Sequence, residues 1–397
     1  MGAALPKVKL ATADYSPQLD VMCHHFPSGH VVYLFHALGK GYYKDENLLP
    51  VFARTNHSPK VIQALEAGIN PVGTATAASV ILGAAAYAKK GGDPAKYPVK
   101  MVYQADQNYS AAYYSLTNEY RKKLGLRLFE KDVTSPKDLI GKIVRLGGGG
   151  PTFMFEIMVE LHGLKDRVNR NLEVNGYQPD MINLTWVEEF DVKTYSNLML
   201  QGQLDVYSKP TFGHGQFLGR ARTSEQGLEY SSFSTLQAGV ETIYGVGIVA
   251  ALDFINEHSD MLSSFLRASD RAMPECIEDH MIGVRAMNQI RGYGEQYDVI
   301  EGIKAAITVG RHPEITGPGG FYSNSDTDQF GHGYINRSKM QRLIDILARI
   351  GLLDYPIKPE DVSANLDFRA PETRKAGLAF PAVPQPRLRD QSVPLER

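Results

Sequence analysis

"RLGGGGPTFMFEIMVELHGL", Arg145–Leu164, is the stretch on which the fold turns. Four glycines meet Pro151 and Thr152, and an amphipathic run follows. Proline suits a first helical turn, because the N–H it lacks would have had no helical partner there. The stretch therefore predicts a strand, a tight turn and a helix. A phosphate loop would need G-x-x-x-x-G-K-[ST], and no lysine follows Gly150. A dinucleotide fingerprint would need a third glycine at its own spacing, which is missing. ATP, GTP and NAD are poor fits. What survives is a helix start that can meet a polar group. Glycines let backbone N–H groups approach a ligand, and an exposed helix N-terminus favours negative charge by about 0.3–1 kcal/mol. Gly148, Gly149 and Thr152 are the candidate contacts. The plain alternative is a turn that touches no ligand.

The pattern repeats on both sides. "KVKLATADY" (Lys7–Tyr15) alternates and predicts a first strand. "YLFHALGKGYYKDENL" predicts a helix that stops at Gly39 or Gly41, "LPVFART" a strand, and "HSPKVIQALEAG" a helix with Ser58 at its cap, Pro59 in its first turn and Gly68 as its stop. "VKMVYQAD", "INLTWVE" and "LDVYSKP" read as further strands, and "DVKTYSNLMLQG" as a helix. Strands alternating with helices of this length imply βαβ units and parallel sheets. "KVIQALEAGINPVGTAT" is echoed by "TYSNLMLQGQLDVYSKP": a helix, a glycine stop and a short strand into a polar turn. Two similar α/β lobes account for the echo. The expected organisation is 1–108 as the first part of lobe 1, 109–240 as lobe 2, 241–340 as a mostly helical return to lobe 1, and 341–397 as a C-terminal helix with an extended tail.

Composition narrows the classes. The chain has 397 residues, of which 43% are apolar and 22% charged, so it can bury a sizeable core. A net charge of −2 carries no footprint for nucleic acid and no polybasic membrane signal. No run approaches the roughly 18 apolar residues of a spanning helix, so direct membrane insertion is not expected. "MGAALPKVKLATADY" lacks the apolar core of a signal peptide. The expectation is a periplasmic or extracytoplasmic protein whose signal has been removed, the alternative a cytoplasmic one. Two cysteines, Cys23 and Cys276, build neither a disulfide framework nor a cysteine zinc site.

Several side chains compete for a functional role. "CHHFPSGHVVYLFH" holds His24, His25, His30 and His36, but no H-x-x-x-H spacing, so no metal and no cofactor are expected. A loop at a cleft mouth, with His25 touching ligand, fits better. Cys23 and His57, each expected just after a strand, could form a nucleophile and its base; a structural cysteine is the commoner outcome. Thr74, Thr76 and Ser79 in "GTATAASV" offer hydroxyls at a strand-to-helix turn, suited to a carboxylate, sulfonate or phosphate, or to a simple cap. "YSKPTFGHG" occupies the matching turn of lobe 2, with Lys209 as a charge partner. Tyr15, Tyr103, Tyr207 and Tyr244 lie at expected strand ends, placed to stack on a planar ligand or simply half-buried.

Four segments, taken in order, carry a family resemblance. They are "FHALGKGYYKDENLLPVFART", "VIQALEAGINPVGTATAASVI", "VTSPKDLIGKIVRLGG" running on to "FEIMVELHGL", and "LMLQGQLDVYS". Together they resemble the nitrate, sulfonate, taurine and thiamine-pyrimidine-precursor branch of ABC-transporter substrate-binding proteins. The matching residues are Lys40 to Glu46, Asp138 to Lys142 and Gly202 to Asp205. The resemblance runs from Lys7 to about Arg285. It implies a type II periplasmic-binding-protein fold, with two α/β lobes, a hinge and a central ligand cleft, followed here by a C-terminal helical extension. It implies capture of a small organic solute, anionic or aromatic, and delivery to the membrane permease of an ABC importer. It implies no catalysis. Asn70 stands where the family has aspartate, and the histidine-rich segment is unusually long, so contacts there do not transfer. The same fold also hosts enzymes, a thiamine-pyrimidine synthase and an aromatic sulfinate desulfinase. A lyase of that kind, using Cys23 and His57, is the alternative reading.

Overall fold

Leu19, Val21 and Cys23 are buried while Gln18, Asp20 and Met22 keep some exposure, a period of two that makes Gln18–His24 the first strand among the described residues. The computed structural model describes residues 17–24, 29–55, 58–147, 149–185, 192–210, 229–279, 282 and 329–369. The strand expected over Lys7–Tyr15 lies outside them. Cys23 itself sits within the strand Gln18–His24, because the alternation runs through it.

Among the described residues the strands are β1 Gln18–His24, β2 Leu49–Thr55, β3 Val72–Thr76, β4 Val99–Tyr103, β5 Ala111–Leu116, β6 Ile143–Leu146, β7 Val168–Asn169, β8 Ile182–Leu184, β9 Val206–Pro210, β10 Tyr230–Ser234 and β11 Val246–Ala251. They form two sheets, ordered β2-β1-β3-β11-β4 and β10-β5-β9-β6-β8-β7. Each sheet is the heart of one α/β lobe. β1, β2 and β3 run parallel, as do β6, β7, β8 and β9. The expectation of wholly parallel sheets needs correcting at two strands. β5 is antiparallel to β9 and β10, and β11 is antiparallel to β3 and β4. These are the strands by which the chain enters each lobe from the other. A strand that leaves the inter-lobe region must run against those that lead into it.

Local chemistry sets the element ends. Gly41 closes the Val32–Lys40 helix at φ 77, and its N–H reaches the Leu38 carbonyl at 3.1 Å. A residue with a Cβ is strained there. Thr76 caps the Ala77–Lys89 helix through the Ser79 N–H at 3.3 Å. The family motifs have structural causes. Asp138 of "DLIGK" accepts from the Ser135 hydroxyl at 2.7 Å and the Thr134 N–H at 3.1 Å, and pairs with Lys131 at 2.8 Å. Burial pushes its carboxyl up, but these donors together hold it below the usual aspartate value. A carboxyl held low in the folded state stabilises above its unfolded pKa, about 4, and that contribution is lost as pH falls through the folded value. Asp138→Asn is therefore expected to flatten the acid limb of the stability curve below about pH 4, as read by thermal melts from pH 6 to 3. An acid limb as steep as the wild type's would contradict this.

The C-terminal extension covers an edge. β4 ends its sheet, and bare strand edges invite foreign pairing. Here the Gln104 N–H donates to the Gly333 carbonyl at 2.9 Å, and the Ala364 N–H to the Met101 carbonyl at 2.9 Å. The Arg337–Arg349 helix, whose Met340, Leu343, Ile344 and Leu347 are buried, packs on the Ala77–Lys89 helix of lobe 1. Its first turn also holds both connections between the lobes. Lys339 Nζ donates to the Gln107 carbonyl, and the Asn336 N–H donates to the Tyr244 hydroxyl at 2.7 Å.

Candidate functional site

The inter-lobe floor is made by two short connections, 104–110 and 240–245, which pair through Tyr109 and Ile243 by hydrogen bonds of 2.7 and 3.1 Å. Three helical starts meet this floor. From lobe 1, the Ala77 N–H at the start of the Ala77–Lys89 helix donates to the Gly245 carbonyl at 3.0 Å. Also from lobe 1, His30 at the turn before the Val32–Lys40 helix contacts Asp106 through Nδ1 and Oδ2. From lobe 2, Gly150 in the first turn of the Gly149–Leu161 helix lies beneath the Tyr109 hydroxyl; a Cβ there would stand 2.1 Å from that oxygen. Gly245 is similarly crowded, its missing Cβ falling 2.8 Å from Asp106 Oδ2 and 3.0 Å from Tyr109 Cδ2. The chain thus draws its backbone close at the points where the lobes meet.

The electrostatics are mixed. The helical starts favour negative charge. Asp106 is fully buried; burial pushes its carboxyl up, while His30 and the Val246 N–H, at 2.9 Å, pull it back. Its value stays raised. Burial also holds the Tyr109 hydroxyl well above the usual tyrosine range, with Asp106 adding to the effect, so Tyr109 is a neutral donor at physiological pH.

Of the residues singled out in the sequence, some meet here and some do not. Thr76 caps the lobe-1 helix that touches the floor, and its hydroxyl shares a 2.8 Å bond with Ser79. Gly149 and Thr152 lie in the first turn of the lobe-2 helix. Lys209 is next to the glycine run: its Cγ would be 3.2 Å from a Cβ on Gly147. Thr74 is fully buried inside β3, paired with Ile248. Tyr103 faces the lobe-1 interior, where its hydroxyl donates to Asp270 at 3.1 Å and its ring stacks 6.2 Å from Tyr33. Tyr244 turns to the C-terminal helix, with Lys339 4.9 Å above its ring. Tyr207 is stacked on Tyr195 at 4.3 Å. Tyr103 and Tyr207 pack against helices because their strands turn that face toward them, and Tyr244, in the 240–245 connection, meets the start of the C-terminal helix. Cys23 is buried in the lobe-1 core with Tyr43, which speaks against a nucleophile that substrate must reach. Tyr15, His25, His57 and Gly148 lie outside the described residues. Among the described residues no cluster of histidine, cysteine or carboxylate could hold a metal.

Sequence reasoning missed Asp106, Tyr109 and Gly245, and it placed His30 and Gly150 only within the histidine-rich loop and the glycine run. A signal existed for two of them: "YQADQNY" puts a polar run straight after the apolar β4, where a chain that simply turned back would need no buried acid.

A family model described as NMT1/THI5 like matches residues 29–280, more than half of the chain. The chain belongs to the NMT1/THI5-like family. This NMT1/THI5-like protein also shares its fold with solved structures. The periplasmic nitrate-binding protein NrtA from Synechocystis PCC 6803 superimposes with a TM-score of 0.57 at 14% identity, covering 92% of this chain and 90% of that one. The periplasmic aliphatic sulphonate binding protein SsuA from Escherichia coli gives 0.54 at 13%, covering 92% and 99%. The alkanesulfonate-binding protein SsuA from Xanthomonas axonopodis pv. citri, bound to MOPS, gives 0.52 at 11%, covering 92% and 100%. At such identities the likeness is one of fold, the type II periplasmic-binding-protein fold. No curated protein matches the chain. No helix among the described residues is long and apolar enough to cross a membrane.

Proposed function

We propose that this NMT1/THI5-like protein is the solute-binding component of an ABC importer. It captures a small organic ligand, anionic or aromatic, between its lobes and hands it to a membrane permease on the extracytoplasmic side. The observation that carries the reading is the meeting of three helical starts, from two lobes, on one floor. Such an arrangement can hold a polar ligand and let the lobes close over it. The working unit is lobe 1, from 1–108 and 241–340, set against lobe 2, 109–240. The residues assigned to the ligand are Thr76, Gly149, Thr152 and Lys209, with Tyr15, His25 and Gly148 as further contacts. Binding requires neither cofactor nor covalent step. The burial of Cys23 weighs against the lyase reading.

The test is thermal stabilisation of the purified chain against sulfonates, aromatic carboxylates and pyrimidines. A ligand at 100 times its Kd is expected to add about 2.7 kcal/mol of stability. A complete panel without a shift would refute the proposal, and turnover of any member that survives in Cys23→Ser would remove the lyase alternative.

A further inference from the structure

Asp106 is the buried acid of the inter-lobe floor described above, and its two oxygens are served unequally. Oδ2 takes both the His30 contact and the Val246 N–H. Oδ1 is buried and, among the described residues, has no hydrogen-bond partner. The Tyr109 hydroxyl, 3% exposed, is in the same condition. The two side chains flank one face of Gly245, where a Cβ would meet both. Buried polar atoms left unmatched are costly, and native proteins keep them chiefly where function uses them.

The two unmatched groups ask for different things. A carboxylate oxygen accepts, so it needs an N–H or O–H from outside. The Tyr109 hydroxyl sits over Gly150 at a helix start, where it and the backbone N–H groups serve an acceptor or an anion. A plain oxyanion would gain from the second position and be repelled by the first. A ligand bearing an amino group near its anionic or acceptor end satisfies both.

We propose that Asp106 is a specificity-determining residue whose Oδ1 receives an N–H donor of the ligand, with Tyr109 and the Gly149–Leu161 helix start taking the acceptor end. The solute is thus an amino-bearing one, zwitterionic or an amino-substituted ring, and not a simple oxyanion. This rests on the solute-binding reading and narrows it.

The experiment is titration calorimetry on the full chain with matched pairs: propanesulfonate against aminopropanesulfonate, benzoate against aminobenzoate, and pyrimidine against aminopyrimidine. In each pair that binds, the amino member is expected to bind about tenfold tighter or more, the worth of one charge-assisted hydrogen bond. Asp106→Asn keeps an acceptor for His30 and Val246 but offers an amide N–H to the ligand, and is expected to erase or reverse the preference. Tyr109→Phe is expected to weaken both members of a pair alike. Plain anions that bind the wild type as tightly as their amino partners would overturn the proposal while leaving the solute-binding reading intact. The wild-type comparison stands even if a variant fails to fold. Binding of no member of any pair would overturn both.

Discussion

Asp205→Ala is expected to cost about 3–5 kcal/mol of stability, as follows from removing one partner of a buried ion pair. Asp205 is 2% exposed and anchors lobe 2 from one carboxylate. Its Oδ1 accepts from Arg121 at 3.2 Å, and its Oδ2 from Arg127 at 2.8 Å and the Ile143 N–H at 3.0 Å. Arg121 is 1% exposed and lies 3.9 Å over the Phe129 ring. Alanine at 205 would leave that guanidinium buried without its counter-charge and the first N–H of β6 without an acceptor. Attraction between the charges repays their desolvation only while the geometry is complete, so deletion costs more than the pair itself contributes. Urea unfolding gives the measurement. Asp205→Asn, which can still accept from Ile143 and one arginine, is expected to fall between wild type and alanine. A loss below about 1 kcal/mol, the range of an exposed pair, would show that the cluster is solvated and the argument wrong.

The same residue illustrates what could be read ahead of the structure. The run from Gly202 to Asp205 was recognisable as a motif, and its strand and turn came out where the pattern put them. That Asp205 holds two arginines was not legible, since Arg121 and Arg127 sit far upstream and become neighbours only when β5 and β6 flank β9. Periodicity and punctuation report on local structure. The helices after Ser58, Ala77 and Gly149 and the glycine stops at Gly41, Gly68 and Gly202 all follow from neighbours within a turn or two. Strand direction did not, because it depends on which way the chain crosses between lobes. Aromatics at strand ends were ambiguous for a related reason. Tyr103 and Tyr207 stand near the right ends, but a side chain's face depends on register, and register put them against helices, while Tyr244 precedes its strand and meets the start of the C-terminal helix. Tyr109, one of the aromatics that does reach the inter-lobe floor, lies in a connection that belongs to neither lobe.

Gly150→Val is expected to abolish ligand-induced stabilisation and to destabilise the free protein by about 1–3 kcal/mol, the usual range for overpacking. The glycine run looks uniform in sequence, yet its members face different demands. A Cβ on Gly147 would stand 2.7 Å from the Ser208 carbonyl oxygen and 2.9 Å from the Tyr207 hydroxyl. A Cβ on Gly150 would stand 2.1 Å from the Tyr109 hydroxyl and 2.6 Å from its Cζ. Tyr109 cannot simply swing away. Its backbone is pinned to Ile243 on both sides, and its ring is set against Gly245 at the other end. The helix start or the floor must therefore shift, and either shift separates the lobe-2 contacts from those of lobe 1. Tyr109→Ala removes the obstacle, so the double variant is expected to recover most of the stability lost to valine, with a coupling of about 0.5–3 kcal/mol between the sites. Binding is not expected to return with it, because the hydroxyl over the helix start is gone. Stability and ligand response measured in the two single variants and the double variant separate these effects. Additive stability losses would mean that Gly150 and Tyr109 do not meet, and an unchanged ligand response in Gly150→Val would place the ligand away from this helix start.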